Sequence, residues 1–232
     1  MNEFAERPRR PVRLLLINPN TSEHITRRME LSARRVLPAD TTLTAITAIE
    51  GPQAVRSASD VAYATANVHR MAQEHGPSHD ALLLGISLDC GLHELRAMRD
   101  PQPVIGMTEA ACLMACLHGP RFGLLTLGAH MAPMYLAHVA ELGLSQRLAG
   151  VEAPDAPQAF HDSPDHVSAQ LLDLLTQAAQ TTLNQGAQCV VLAGAVLCGY
   201  AAELQARIGR PVVDGMASAV LLASARLSLS AD

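Results

Sequence analysis

Short apolar runs bounded by turn residues alternate along this chain with longer segments whose apolar positions return every three or four residues. That alternation is the mark of strands and crossover helices in a parallel α/β sheet. It predicts strands over residues 13–18, 43–49, 81–87, 104–106, 123–126, 189–193 and 212–214. They read as continuous apolar runs, as expected for strands covered on both faces. The helix after the first strand gathers Ile25, Met29, Ser32, Ala33 and Val36 on one side. Residues 60–75 do so with Val61, Ala64, Val68 and Met71, and Gly76-Pro77 stops them. Residues 167–184 carry Leu171, Leu174, Leu175, Ala178 and Thr182 in the same way. Residues 152–165 (EAPDAPQAFHDSPD) are too rich in Pro and Asp for a strand. They are expected to form a surface flap near the cleft entrance, more mobile than the strands around it.

Three blocks recur in register. RLLLINPN from Arg13 lies over RFGLLTLG from Arg121, LLLGISLDCG from Leu82 over VVLAGAVLCG from Val190, and PVIGMTEAA from Pro103 over PVVDGMASA from Pro211. Since 121−13, 190−82 and 211−103 all equal 108, the pattern points to duplication of one unit. The expected fold class is therefore α/β, with two parallel-sheet halves related by a pseudo-twofold axis and a site in the cleft between them. The halves are expected over residues 11–119 and 120–232, split at the turn His118-Gly119-Pro120, with an exchange of the last strand or helix left open. Residues 1–10 are expected to be a disordered arm.

Composition narrows the function classes. Nearly half of the 232 residues are apolar, so a sizeable core is within reach. With 3% aromatics, no Trp and a net charge of −5, neither base stacking nor a basic footprint for nucleic acid is available. The arginines at 27–28 and 34–35 read as a solvated helix face. No apolar run approaches the ~18 residues of a membrane span, and the opening MNEFAERPRR lacks the apolar core of a signal peptide. A cytoplasmic protein binding a small molecule, with no nucleic-acid or membrane partner, is expected. Five cysteines without disulfide-like spacing are expected to be free thiols.

The run INPNTS (residues 17–22) follows a strand and opens a helix. Asn18 or Asn20 falls in the turn, and Thr21 or Ser22 at the helix N-cap. Such a turn also aims backbone donors outward, toward a carboxylate or ring carbonyl. This run resembles the opening of the hydantoin and allantoin racemases, within the wider Asp/Glu racemase group. The likeness continues in DALLLGISLDCGL from Asp80, in PVIGMTEAA with Glu109, in RFGLLTLG with Thr126 and in PVVDGMASAV with Asp214 and Gly215. It covers nearly the whole chain beyond the arm. The resemblance implies two Rossmann-like halves, an active site between them, no cofactor and a homo-oligomer. It also implies that two cysteines on opposite sides of the substrate exchange its α-proton. Inverting a carbon acid needs a base on one face and an acid on the other.

The chain departs from that pattern where it matters most. The family's first cysteine falls on Ile86 and the second on Gly194; Cys90 and Cys198 stand four residues further on in each half. Three readings follow: the two act together as acid and base, one acts alone, or both only pack. The first gives a cofactor-independent racemase or epimerase of a small amino-acid-derived cyclic amide or acid. In it Asn18, Asn20, Thr21, Ile86, Ser87, Thr126, Gly194 and Ala195 line the substrate site. The alternatives are a single-cysteine lyase, hydrolase or cis–trans isomerase, and a non-catalytic binding relic. His93, three residues after Cys90, is a weaker candidate for taking the thiol's proton, and Cys112 and Cys116 read as small packed residues. No metal-ligand spacing, GxGxxG fingerprint or phosphate loop is present.

Overall fold

The computed structural model describes residues 11–229, so the arm expected over residues 1–10 lies outside the described residues. The first half runs β1 (Val12–Asn18), α1 (Glu23–Arg34), β2 (Thr41–Thr47), α2 (Ala58–His75), β3 (Ala81–Leu84), α3 (Leu92–Arg99), β4 (Val104–Gly106) and α4 (Met107–Ala115). The second runs β5 (Phe122–Leu125), α5 (Met131–Glu141), β6 (Leu148–Glu152), α6 (Ala169–Asn184), β7 (Cys189–Leu192), α7 (Ala201–Ile208), β8 (Val212–Asp214) and α8 (Gly215–Ser228). Each half builds one four-stranded parallel sheet, in the orders β2-β1-β3-β4 and β6-β5-β7-β8. The 108-residue offset holds element by element: β3 and β7, β4 and β8, and α4 and α8 start at equivalent positions.

Leu82, Leu83 and Leu84 in β3, and Val190 and Val191 in β7, are fully buried. Helices on both faces cover these strands, which is why their runs do not alternate. Burying each such side chain contributes about 1.5–3 kcal/mol. The last helix of each half crosses to the other: α4 lies against β7 and β8, while α8 lies against β3 and β4 and against α1. Ala111, Cys112 and Ala115 of α4 accordingly share a core with Phe122, Leu124 and Val191 of the second sheet.

Two expectations are corrected, and one strand is added. The run 81–87 is strand only to Leu84, because the chain turns through a 3₁₀ segment at Ser87–Asp89, with Leu88 and Asp89 at φ +61° and +47°. The strand β6 was not anticipated; its five residues are all half-buried, so the sequence carries no apolar run there. Arg28 is not on a solvated face. It is 3% exposed, because it falls three residues after Ile25 on the helix side that packs inward.

Candidate active site

The loops after β1, β3, β5 and β7 end together at one side of the molecule, where strand C-termini of parallel sheets leave a crevice. The INPNTS turn is tied internally. Asn18 Oδ1 accepts from the Asn20 N–H (3.2 Å) and Asn20 Oδ1 from the Ser22 N–H (3.0 Å), while Asn18 Nδ2 donates to Thr26 Oγ1 (2.8 Å). Ser22 occupies the N-cap of α1, but its hydroxyl donates to the Gln53 carbonyl at 2.7 Å instead of capping the helix. That bond draws residues 53–55 over the crevice.

The cleft is lined by Asn20, Ile86, Ser87, Thr126, Gly194 and Ala195 from the expected set. Asn18 and Thr21 do not line it: Asn18 is fully buried beneath the turn, and Thr21 donates its N–H to the Pro52 carbonyl. Gln53, Val55, Leu127, Met131 and Phe160 also line it. Gln53, Val55 and Met131 stand in segments with no repeat or motif that pointed to a site, whereas Leu127 follows Thr126 in the repeated block RFGLLTLG and Phe160 lies in the expected flap. His24 Nε2 stands 2.5 Å from the Phe160 carbonyl and fixes that flap residue against α1.

Ile86 and Gly194 are equivalent in the repeat, as are Ser87 and Ala195, so each half presents one pair to the cleft. Gly194 has φ +125°, where other residues are strained. A β-carbon there would stand 3.8 Å from Thr126 Oγ1 and 3.9 Å from both Ser87 Oγ and the Tyr135 hydroxyl. Three hydroxyls thus surround an empty side-chain position. Tyr135 is fully buried on α5, among the hydroxyls of Ser87, Thr126 and Thr108, without a hydrogen bond of full geometry to any of them. Burial pushes its pKa upward, so it stands as a neutral donor.

One aspartate in each half fixes the loop that follows the central strand. Asp89 accepts from the Thr108 and Glu109 N–H groups (2.9 and 2.7 Å) at the start of α4, and His138 Nε2 lies 3.2 Å away. A β-carbon at Gly106 would meet the Asp89 carboxyl at 2.3 Å, so that glycine is required. In the second half Asp214 caps α8 through the Met216 and Ala217 N–H groups, and holds the Gly199 N–H (2.7 Å) and the Ser32 hydroxyl (2.7 Å). Glu109 is held by Arg96 through both carboxylate oxygens, outside the cleft lining.

The structure does not bring Cys90 and Cys198 to the cleft wall. Cys90 packs into the first half's core beside Leu92 and Val68, and its Sγ donates to the Ser87 carbonyl at 3.3 Å. Burial, and then the neighbouring Asp89, push its pKa from 9.0 to about 12. Cys198 is buried on the far side of the loop after β7, and burial with Asp214 pushes its thiol well upward. The physical reason is the turn: each 3₁₀ segment carries the chain away from the cleft before the cysteine is reached. His93 is exposed, and Cys112 is buried in the core shared by α4 and the second sheet.

The inner cleft is tight, with about 40 Å³ of free volume. It shares Val55, Leu127, Met131 and Phe160 with an outer chamber of about 390 Å³, whose walls add Ala156 and Pro157 and whose rim carries Arg56, His130 and Asp155. Arg56 stacks over the Phe160 ring at 5.1 Å. Phe160 of the flap thus stands with Val55, Leu127 and Met131 between the two spaces. Among the described residues no group of three His, Cys, Asp or Glu side chains is arranged for a metal, and no helix is long and apolar enough to cross a membrane.

Residues 14–223 match the family model described as Asp/Glu/hydantoin racemase. The chain is 31% identical over 228 residues to a hydantoin racemase of Paenarthrobacter aurescens, covering 94% of this chain and 92% of that protein. Among solved structures it is similar to an allantoin racemase from Klebsiella pneumoniae, at 25% identity and a TM-score of 0.86, covering 94% of this chain and 89% of the other. An allantoin racemase from Pseudomonas fluorescens has the same fold, at a TM-score of 0.87 with 24% identity and coverage of 94% and 92%.

Proposed function

We propose, because the chain belongs to the Asp/Glu/hydantoin racemase family, that it is a racemase or epimerase of a small amino-acid-derived cyclic amide or acid. A hydantoin- or allantoin-like ring fits the class of its relatives, and the cleft between the two sheets is the place of reaction. The observation that carries this reading is the pairing across the cleft of Ile86–Ser87 with Gly194–Ala195, equivalent positions of the two repeats. Asn20, Ser87, Thr126 and the backbone at Gly194–Ala195 hold the carbonyl oxygens. Hydrogen bonds to those oxygens stabilise the enolate left when the α-proton departs. The ring enters as Phe160 yields, and its substituent rests in the outer chamber, since the inner cleft alone is smaller than the usual ligand pocket of about 300 Å³ or more.

Cys90 and Cys198 are the acid and base of this reading, one from each half. To serve, each has to come forward from its packing and lose a proton that burial holds on. That requirement favours a second reading: the cleft binds its ligand without exchanging the proton. No thiol lines the cleft among the described residues.

Circular dichroism of enantiopure 5-substituted hydantoins and of allantoin separates the two. The first reading expects decay of the signal, and a loss in kcat of at least ~100-fold in Cys90→Ala and in Cys198→Ala alike, the scale for removing an acid or base. Loss in only one variant selects a single-cysteine reaction. Full activity in both removes the thiols from the mechanism. Saturable calorimetric binding with no decay in the wild type selects the second reading.

A further inference from the structure

A second cavity of about 330 Å³ lies on the other side of the loop after β7 and shares no lining residue with the cleft. Its walls come from the second half of α1, from the end of the flap and from Cys198–Gly199. Arg28, Arg34 and Arg35 all line it, against one carboxylate, Asp165. Arg34 is neutralised by Glu30, which takes its Nε and Nη2 at 3.0 and 2.7 Å. Burial raises the Glu30 pKa, but Arg34 and Arg27 outweigh it and hold the carboxyl below its usual value, so that pair is ionised. Arg28 and Arg35 are left facing Asp165 alone, an excess of one positive charge on the lining.

Arg28 is the unusual one. A guanidinium only 3% exposed is stable when a counter-charge meets it. Here Nη2 donates to the Ser163 carbonyl (2.5 Å) and the His166 carbonyl (3.2 Å), and the Tyr200 ring covers one face at 5.3 Å. Nε is buried with no acceptor, and Arg28 makes no ion pair among the described residues. Asp214, one helical turn along beneath Ser32, has its oxygens taken up by Ser32, Gly199, Met216 and Ala217. Arg35 spends only Nη1, on the Gly199 carbonyl at 3.4 Å, so most of its donors face solvent at the rim.

We infer that this cavity binds a small polyvalent oxyanion, a phosphate or a dicarboxylate, with Arg28 on its inner wall and Arg35 closing over it. The planar fork of arginine donors matches such oxygens in pairs. The site has no lining residue in common with the cleft, and adjoins it through α1, the flap and the loop that carries both Gly194 and Gly199.

The test is titration calorimetry of the full chain with inorganic phosphate and, separately, malonate, at constant ionic strength. Saturable one-to-one binding of either anion is expected. Arg35→Gln is expected to weaken it at least ~10-fold, a loss of one charge-assisted pair, with an unchanged thermal midpoint in the absence of anion. Ser87→Ala, in the cleft, leaves it as in the wild type. Binding of phosphate alone or malonate alone identifies the oxyanion. No saturable binding of either, wild-type affinity in Arg35→Gln, or loss in Ser87→Ala instead of Arg35→Gln would each overturn the site.

Discussion

Gly194 combines a backbone angle of +125° with open space: a β-carbon there meets nothing closer than 3.8 Å. Gly194→Ala is therefore expected to destabilise by backbone strain alone, about 1–3 kcal/mol. Urea unfolding should show a lowered midpoint and an unchanged slope. The thiols give a second residue-scale outcome. Cys116 is half-buried and the other four are buried, so Ellman's reagent at pH 8 should titrate one thiol quickly, and Cys116→Ser should remove that phase. Cys90 keeps its proton in the native state up to a pKa of about 12, whereas an unfolded thiol loses it near 9.0. Its contribution is fully present below pH 9 and is lost as pH rises toward 12, so stability should fall across that window. Arg28 was legible in principle. Its spacing from Ile25, Met29 and Ser32 puts it on the inward stripe, and only the habit of reading arginine as exposed hid it.

The two aspartates act at the scale of elements. Asp214 caps α8, anchors the loop after β7 and reaches α1, so Asp214→Ala removes a cap and leaves the Gly199 N–H and the Ser32 hydroxyl without their acceptor. A loss of about 2–4 kcal/mol is expected in chemical denaturation, combining a lost cap with unsatisfied buried donors. A change below 1 kcal/mol would mean that the loop is held some other way. The apolar strands were readable from their runs. The unpredicted β6 was not, because a half-covered edge strand needs no apolar run. The 3₁₀ turns at Ser87–Asp89 and Ala195–Leu197 were also hidden, since Leu88 adopts a positive φ that a leucine does not announce. Those turns set Cys90 and Cys198 back from the wall that Ser87 and Ala195 line.

For the whole molecule, the repeat in the sequence returned as two sheets of the same strand order, and the exchange of α4 and α8 joins them. Each sheet is covered by a helix of the other half, so neither half keeps its core alone. Far-ultraviolet and near-ultraviolet dichroism should report one coincident unfolding transition; two separable transitions would show the halves to be independent. The same joining fixes the cleft, whose walls include the equivalent pairs Ile86–Ser87 and Gly194–Ala195 of the two repeats. The most direct test of the racemase reading is solvent exchange at the substrate's α-carbon. An enantiopure 5-substituted hydantoin is incubated with the protein in D₂O and followed by proton NMR, against the uncatalysed rate. Loss of the C5 proton signal at a catalysed rate is expected, with the deuterated mirror-image ring accumulating. A hydantoin that binds in the cleft and returns with its proton and configuration intact would contradict it.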